Sequence, residues 1–338
     1  MSKLKEDIGF DGLIFPGLEG KVTKHISYVP NLSLGEVFLN KTIKIDDNLS
    51  IINGSEKEQD AILFLKKYLK ITKKRDRFPG VYFIYKYLDK PKWYFEAQSA
   101  ALRFVTAIRI YKETRCDSEV EFPIEDSRKK KYYRPYDFTK DTHGIYMDKE
   151  RSRIDSRKEL IHIKKIYIKL GEANFSKTIY YSKLYNAVKF FNHSYDEHWI
   201  LLKTTLAFTA LESLFSDSSK SEVSFKIALR AAYFLYPKDS NKRKEVFNIV
   251  KRGYDIRSYF VHGSDTEKQI NKIMKKFEKE RGVDHYSFFH NFIFDLNGVV
   301  SKCLTKILTE EKYFNFFTKE KHLSDEEVSF FDDLVLDR

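Results

Sequence analysis

Cysteine is rare in this sequence, and no long apolar run occurs. The two cysteines, Cys116 and Cys303, are too few for a disulfide framework and are typical of a reducing compartment. The most apolar segment, residues 199–215, contains Lys203 and Glu212 and is too short and too charged to span a bilayer. No apolar segment follows the polar first residues, so we expect no signal peptide. These absences predict a soluble, cytoplasmic protein with no membrane partner.

Signatures of nucleotide and metal chemistry are also missing from the sequence. It contains no Walker loop and no G-x-G-x-x-G fingerprint, and we identify no internal repeat. No Asp, Glu or His residues have the spacing of magnesium or zinc ligands. The sequence therefore predicts no metal and no cofactor.

The composition is that of a globular protein with a strong positive charge. Hydrophobic residues make up 42% and aromatic residues 16% of 338 residues, which excludes a disordered chain and allows two domains. The 61 Lys and Arg against 49 Asp and Glu give a net charge of +12. Such a balance favours a polyanionic partner, most commonly nucleic acid. A general preference for lysine explains the charge equally well.

Residues 1–172 predict an α+β domain. Glycines and prolines separate short alternating segments such as 21–26 and 42–45, which are typical of strands. A helix is predicted over 98–112, and strands are predicted again between 117 and 170. We recognise no family in this half.

One segment of this half combines basic residues with aromatic ones that can stack on bases. It is a weak candidate for RNA binding, because charged runs usually face water and a solvated hairpin loop is the favoured interpretation. The segment consists of Arg128, Lys129, Lys130, Lys131, Tyr132, Tyr133 and Arg134.

Residues 173–338 predict an all-helical domain, a bundle with short connections. Gly263 stands where a helix C-cap is expected. The predicted helices cover 176–191, 196–215, 222–235, 241–262, 265–279, 288–308 and a short segment from 323 onward.

Three blocks of the helical half carry a family resemblance. They read A-L-E-S-L-F at 210–215, S-F-K-I-A-L-R-A-A at 224–232, and Y-D-I-R-S-Y-F-V-H-G-S at 254–264. In this order they resemble the HEPN superfamily, specifically its Apea-like branch. The resemblance implies a HEPN helical bundle that forms a homodimer with both motifs in one cleft. It also implies a metal-independent endoribonuclease, serving as a toxin or an anti-phage defence effector, with tRNA among the candidate substrates.

Within the motif, Arg257 and His262 are the predicted catalytic residues. Histidine suits transfer of a proton from the 2′-hydroxyl or to the leaving oxygen, because its pKa lies near neutrality. Arginine suits the phosphate, because its planar guanidinium is always charged. Attack by the 2′-hydroxyl of RNA needs no metal when these two groups are present.

Five further residues are supporting candidates: Glu212, Arg230, Tyr254, Asp255 and Ser258. Glu212 shares a face with apolar residues, so it needs a partner, either Arg230 or Arg257. A structural ion pair is favoured over direct catalysis for this carboxylate. Tyr254, Asp255 and Ser258 flank the motif, where they can contact RNA or orient His262.

Helical geometry raises a difficulty for the motif. At about 100° per residue, Arg257 lies on the apolar arc of its helix and His262 about 140° away from it. Either the last helical turn unwinds, or a groove between two subunits collects the residues. Spacing alone is weak support, because Arg157 and His162 have the same spacing, and His162 lies in a run, 160–168, that predicts a strand.

Three functional interpretations remain open from the sequence. The first is an endoribonuclease whose N-terminal domain senses a signal or targets the enzyme. The second is a non-catalytic HEPN scaffold that binds RNA or protein. The third is one subunit of a defence complex that awaits a regulatory partner or a phage-derived trigger.

Overall fold

A computed structural model of the chain describes fourteen stretches, and every structural statement below concerns them. They are residues 22–29, 33–34, 42–53, 81–86, 94–112, 120–125, 136–137, 153–173, 182–197, 199–217, 222–263, 266–281, 285–319 and 324–336.

The described part is mostly helical, with short strands in the N-terminal region. The chain divides into two compact units. The first falls within residues 1–30, 40–101 and 118–142, and the second within 31–39, 102–117 and 143–338. The predicted domains, 1–172 and 173–338, stay a prediction.

Strands occur in both units. They are β1 Val22–Val29, β2 Ser33–Leu34, β3 Thr42–Lys44, β4 Leu49–Asn53, β5 Val81–Lys86, β6 Val120–Glu125, β7 Tyr136–Asp137 and β8 Arg153–Ile154.

The first unit contains a six-stranded antiparallel sheet with the strand order β3-β4-β5-β1-β6-β7. Strand β1 is central, and its Ile26 lies opposite Ile84 on β5 and Phe122 on β6. Branched and aromatic residues at these paired positions are the ones that stabilise a sheet. The strands predicted at 21–26 and 42–45 correspond to β1 and β3. Strands β2 and β8 form a separate parallel pair in the second unit.

Ten helices are described, and all but the first residues of α1 fall within the second unit. They are α1 Tyr94–Lys112, α2 Arg157–Glu172, α3 Lys183–Asp196, α4 Ile200–Phe215, α5 Val223–Leu235, α6 Ser240–His262, α7 Thr266–Arg281, α8 His285–Thr309, α9 Glu311–Phe317 and α10 Ser324–Leu336.

Helix α2 corrects the prediction of a strand over 160–168. Its start is a capping box, in which Ser156 accepts the Glu159 N–H and Glu159 accepts the Ser156 N–H. Its buried residues are Ile163, Ile166, Tyr167 and Leu170, which follow the helical period. The alternation that favoured a strand came from Ile161 and Ile168, which are exposed.

Helix α4 forms the centre of the second unit and packs against α3, α5, α6 and α8. Its residues Phe208, Leu211, Leu214 and Phe215 are fully buried, as expected of a central helix. The helix was predicted to begin at Asp196, but Asp196 ends α3, where its carboxylate lies 2.9 Å from the Arg109 guanidinium. The other predicted helices correspond to α3, α5, α6, α7, α8 and α10, and α9 was not predicted. The helix predicted over 176–191 ends later than expected, because α3 continues to Asp196, and residues 176–181 lie outside the described residues.

Candidate functional site

Helix α6 carries the motif and has a defined end at each side. Asp239 caps its start by accepting the Lys242 N–H at 3.0 Å. Gly263 ends it with φ of +66°, and its N–H donates to the Tyr259 carbonyl oxygen at 3.1 Å. A left-handed conformation at this position favours glycine, so the predicted C-cap is confirmed. His262 is therefore the last residue of the helix.

Close packing sets the position of α6 one turn before Arg257. A Cβ atom on Gly253 would lie 3.2 Å and 3.3 Å from the two Leu296 methyl carbons and 3.5 Å from the Phe208 ring. The neighbouring Tyr254 ring meets Phe208 edge-on, with centroids 5.6 Å apart. The absence of a side chain at Gly253 therefore brings α6 close to α4 and α8.

Arg257 lies between α6 and α4, and Glu212 is its ionic partner. Its Nη2 atom lies 3.7 Å from the Glu212 Oε2 atom, and each side chain is 27% exposed. This distance is too long for a hydrogen bond, so the pair is a loose ion pair. The Arg257 Nε atom is buried and has no hydrogen-bond acceptor among the described residues. The guanidinium thus keeps at least one donor that the described protein groups do not use.

His262 lies at the surface, in contrast to Arg257. Its side chain is exposed, and α6 stays helical through this residue. The five-residue step places the two side chains about 140° apart around the helix. Unwinding of the last turn, one of the two expected solutions, is therefore absent from this structure. Within one chain, therefore, Arg257 and His262 do not lie on the same side of α6.

Arg230 belongs to a separate buried cluster and is not the partner of Glu212. Its guanidinium donates to the Phe215 carbonyl oxygen at 2.8 Å and to Asp217 at 2.5 Å, and it lies over the Phe331 ring. Burial lowers the pKa of the adjacent Lys183 ammonium, although Glu327 attracts it from 3.2 Å. The cluster holds α10 against the bundle, which is a structural role.

The remaining predicted residues fall in different places. Tyr254, Asp255 and Ser258 are half-buried on α6 beside the motif. The basic and aromatic segment 128–134 lies outside the described residues. Glu212 is half-buried, as predicted for a carboxylate that shares a face with apolar residues.

Arg157 and His162 provide an internal comparison for the motif. They also lie on a helix, so their five-residue step matches that of Arg257 and His262. Arg157 is exposed, and the His162 ring stacks on Tyr111 and bonds through Nδ1 to the Lys158 carbonyl oxygen at 2.8 Å. A half-buried arginine facing a carboxylate on another helix is what distinguishes the motif pair.

An exposed aromatic residue beside the motif was not singled out from the sequence. Trp199, 57% exposed, precedes α4 and meets the Phe260 ring edge-on with centroids 4.8 Å apart. Phe260 follows Arg257 by about one helical turn. The sequence shows a tryptophan just before α4, but only the packing of α4 against α6 brings Trp199 to the motif.

The described residues contain neither a metal-ligand cluster nor a membrane-spanning helix. No group of three or more His, Cys, Asp or Glu side chains gathers there as metal ligands do. Among the described helices, none has the length and apolarity needed to cross a membrane.

Comparison of the chain with family models, with curated proteins and with solved structures finds no match.

Proposed function

We propose that this chain is a metal-independent endoribonuclease of HEPN type, acting as a toxin or an anti-phage effector. The observation that carries the proposal is the Arg257 guanidinium, half-buried between α4 and α6 with a loose carboxylate partner at 3.7 Å. The exposed part of this guanidinium, held only loosely by Glu212, is suited to a phosphate anion. The net charge of +12 favours the same kind of ligand.

The reaction assigns separate tasks to the two motif residues. The 2′-oxygen of RNA forms a bond to phosphorus while the bond from phosphorus to the 5′-oxygen breaks. The 2′-hydroxyl proton passes to a neutral histidine, and the 5′-oxygen receives a proton, which leaves a 2′,3′-cyclic phosphate and a 5′-hydroxyl. Arg257 stabilises the charge that grows on the phosphoryl oxygens. His262 carries out proton transfer.

The proposed enzyme acts as a homodimer. Arg257 and His262 point about 140° apart in one chain, so a cleft shared by two chains is the arrangement that gathers both residues. The cleft then also contains two copies of His262, one to accept a proton and one to donate it. The N-terminal region regulates or targets the enzyme in this proposal.

A non-catalytic scaffold is the second candidate function. The observation that favours it is the exposure of His262 at a helix end, where an ordinary histidine is stabilised by the helix dipole. In this case the same helices bind RNA or protein, or the chain is one subunit of a defence complex.

Cleavage of RNA in the presence of EDTA tests the proposal. His262→Ala should lower cleavage by about 10²–10⁴-fold, the usual contribution of proton transfer, while melting stays that of the wild type. Arg257→Ala should be similarly inactive, and Arg257→Lys should recover little, because an ammonium lacks the planar guanidinium.

His162→Ala is the matched control, since His162 has the same spacing from an arginine on a helix. It should cleave at close to the wild-type rate, and the products of the wild type should end in a 2′,3′-cyclic phosphate. A His262→Ala protein that still cuts RNA in EDTA would leave the scaffold as the better proposal.

A further inference from the structure

Helix α7, which follows the motif directly, presents a row of lysines. Four of them, Lys268, Lys272, Lys275 and Lys279, are exposed. Their spacing of four, three and four residues places them within an arc of about 60°, over a length of about 16 Å. We name these four residues the lysine face. The sequence has no Asp or Glu at a position on this arc.

The opposite side of α7 packs on the bundle. Ile270 is 6% exposed and Ile273 is half-buried, and α7 contacts both α6 and α8. An amphipathic helix that binds a membrane inserts its apolar side between the lipids. Ile270 and Ile273, the apolar residues described on that side of α7, are in use within the protein, so the lysine face offers a lipid bilayer its charge without these two side chains.

The lysine face is also close to the motif along the chain. Gly263 ends α6 after His262, and α7 begins at Thr266. Lys268 therefore follows His262 by six residues, and the remaining lysines continue along the same helix. A polyanion held along this face has the motif at one end.

We infer that the lysine face binds the phosphodiester backbone of single-stranded RNA and so holds the substrate against the motif. The inference rests on the proposed function, because it assigns the part of the substrate that the motif does not contact. Lysines act as point charges on phosphates and read no base sequence. The face therefore sets affinity and placement of the strand, and it leaves sequence preference to other residues.

The dependence of RNA affinity on salt concentration measures how many phosphates the lysine face contacts. Each neutralised phosphate on a single strand contributes about −0.7 to the slope of log K against log salt. Four contacts thus give a slope of about −2.8, which is an affinity loss of about 50-fold between 50 and 200 mM salt. The probe is a short, unstructured, fluorescein-labelled 2′-O-methyl RNA, which keeps its phosphates and has no 2′-hydroxyl to attack. Binding to the full chain is followed by anisotropy.

Two quadruple variants make the comparison. The face variant changes all four lysines of the face to Gln, which is also a good helix former. The control variant changes four exposed lysines on other elements, Lys165, Lys238, Lys244 and Lys302, to Gln. Each lowers the count of Lys and Arg from 61 to 57 against 49 acids, so the net charge is +8 in both. Lys238 and Lys244 flank the start of α6, the far end of that helix from His262.

The face variant should lose most of the slope of about −2.8, and the control variant should lose little of it. A face variant with four Arg residues should keep the slope, because the charges remain. Equal losses in the face and control variants would overturn the inference, as would an unchanged slope in the face variant or a lost slope in the Arg variant. A face variant that loses affinity for phosphatidylserine vesicles as strongly as for RNA would overturn the assignment to RNA.

Cleavage separates this inference from the proposed function. The face variant should lower kcat/KM on an unmodified strand while kcat at saturating RNA stays that of the wild type, because Arg257 and His262 are untouched. Failure of the wild type to cut RNA, with the slope difference present, would refute the nuclease and keep the RNA-binding face. Cleavage by the wild type with no slope difference would keep the nuclease and refute the face.

Discussion

Glu212 and Asp217 each face an arginine, and their different burial predicts different consequences when the charge is removed. The Glu212–Arg257 pair is loose, 3.7 Å apart with each side chain 27% exposed. The Asp217–Arg230 pair is close, 2.5 Å apart with 5% and 7% exposed. Glu212→Gln and Asp217→Asn each remove one negative charge with little change of shape, so the two variants form a matched comparison.

The expected free energies follow from burial. A partly exposed ion pair contributes about 1 kcal/mol or less, so Glu212→Gln should lower the melting temperature by at most about 2–4 °C. Breaking a buried pair by removing one partner costs about 3–5 kcal/mol, so Asp217→Asn should lower it by on the order of 10 °C.

RNA cleavage should be affected in the opposite order, with Glu212→Gln losing more activity than Asp217→Asn. Glu212 contributes up to about 1 kcal/mol to holding Arg257 in place. Losing this free energy in Glu212→Gln corresponds to a fall in kcat/KM of up to about fivefold. Asp217→Asn should cleave normally below its melting temperature, because Arg230 lies in the cluster that holds α10. The assays are thermal melting by circular dichroism and cleavage of a labelled RNA.

Two results would contradict an orienting role for Glu212. A loss of cleavage beyond about 100-fold with unchanged melting would show that the carboxylate takes part directly in the chemistry. A melting temperature as low as that of Asp217→Asn would show that the pair with Arg257 is a buried structural contact.

The remaining predictions concern the end of α6 and the assembly. Gly263→Ala should cost about 1–2 kcal/mol, because φ is +66° there, and Gly263→Asn should cost less; equal melting of all three proteins would contradict this. Mixing inactive Arg257→Ala with inactive His262→Ala should restore a fraction of the cleavage, because a mixed dimer keeps one arginine and one histidine in the shared cleft and leaves the second proton transfer to water. A wild type that is a monomer by light scattering and fully active would contradict the shared cleft.

Local signals in the sequence were sufficient for most helices of the C-terminal half. The apolar period and Gly263 placed α6 within one residue of its start, Ser240, and at its end. Such signals work because capping and left-handed glycine are interactions within a few residues. The strand predicted over 160–168 was wrong because two exposed isoleucines imitated alternation, while the capping box at Ser156 indicated a helix.

Part of the candidate site could be predicted from the sequence. An inward-facing Arg257 on α6 and its separation from His262 followed from helical geometry alone, and the structure has Arg257 half-buried and His262 exposed. The sequence left two arginines for Glu212, because each is compatible with a carboxylate on the apolar face of α4. It offered no reason to link Trp199 to Phe260, or Arg230 to Asp217.

These pairings are set by the packing of helices against one another, and that packing depends on residues distant in the chain. Neighbouring residues in the chain specify the course of α5 and α6, the end of α4 and the apolar side of all three helices, so these features could be predicted from the sequence. The close approach of α6 to Phe208 and Leu296 at Gly253, which brings Arg257 to Glu212, depends instead on contacts between distant parts of the chain. Arg230, on the neighbouring helix α5, is instead directed to Asp217, because its guanidinium is buried beneath α10.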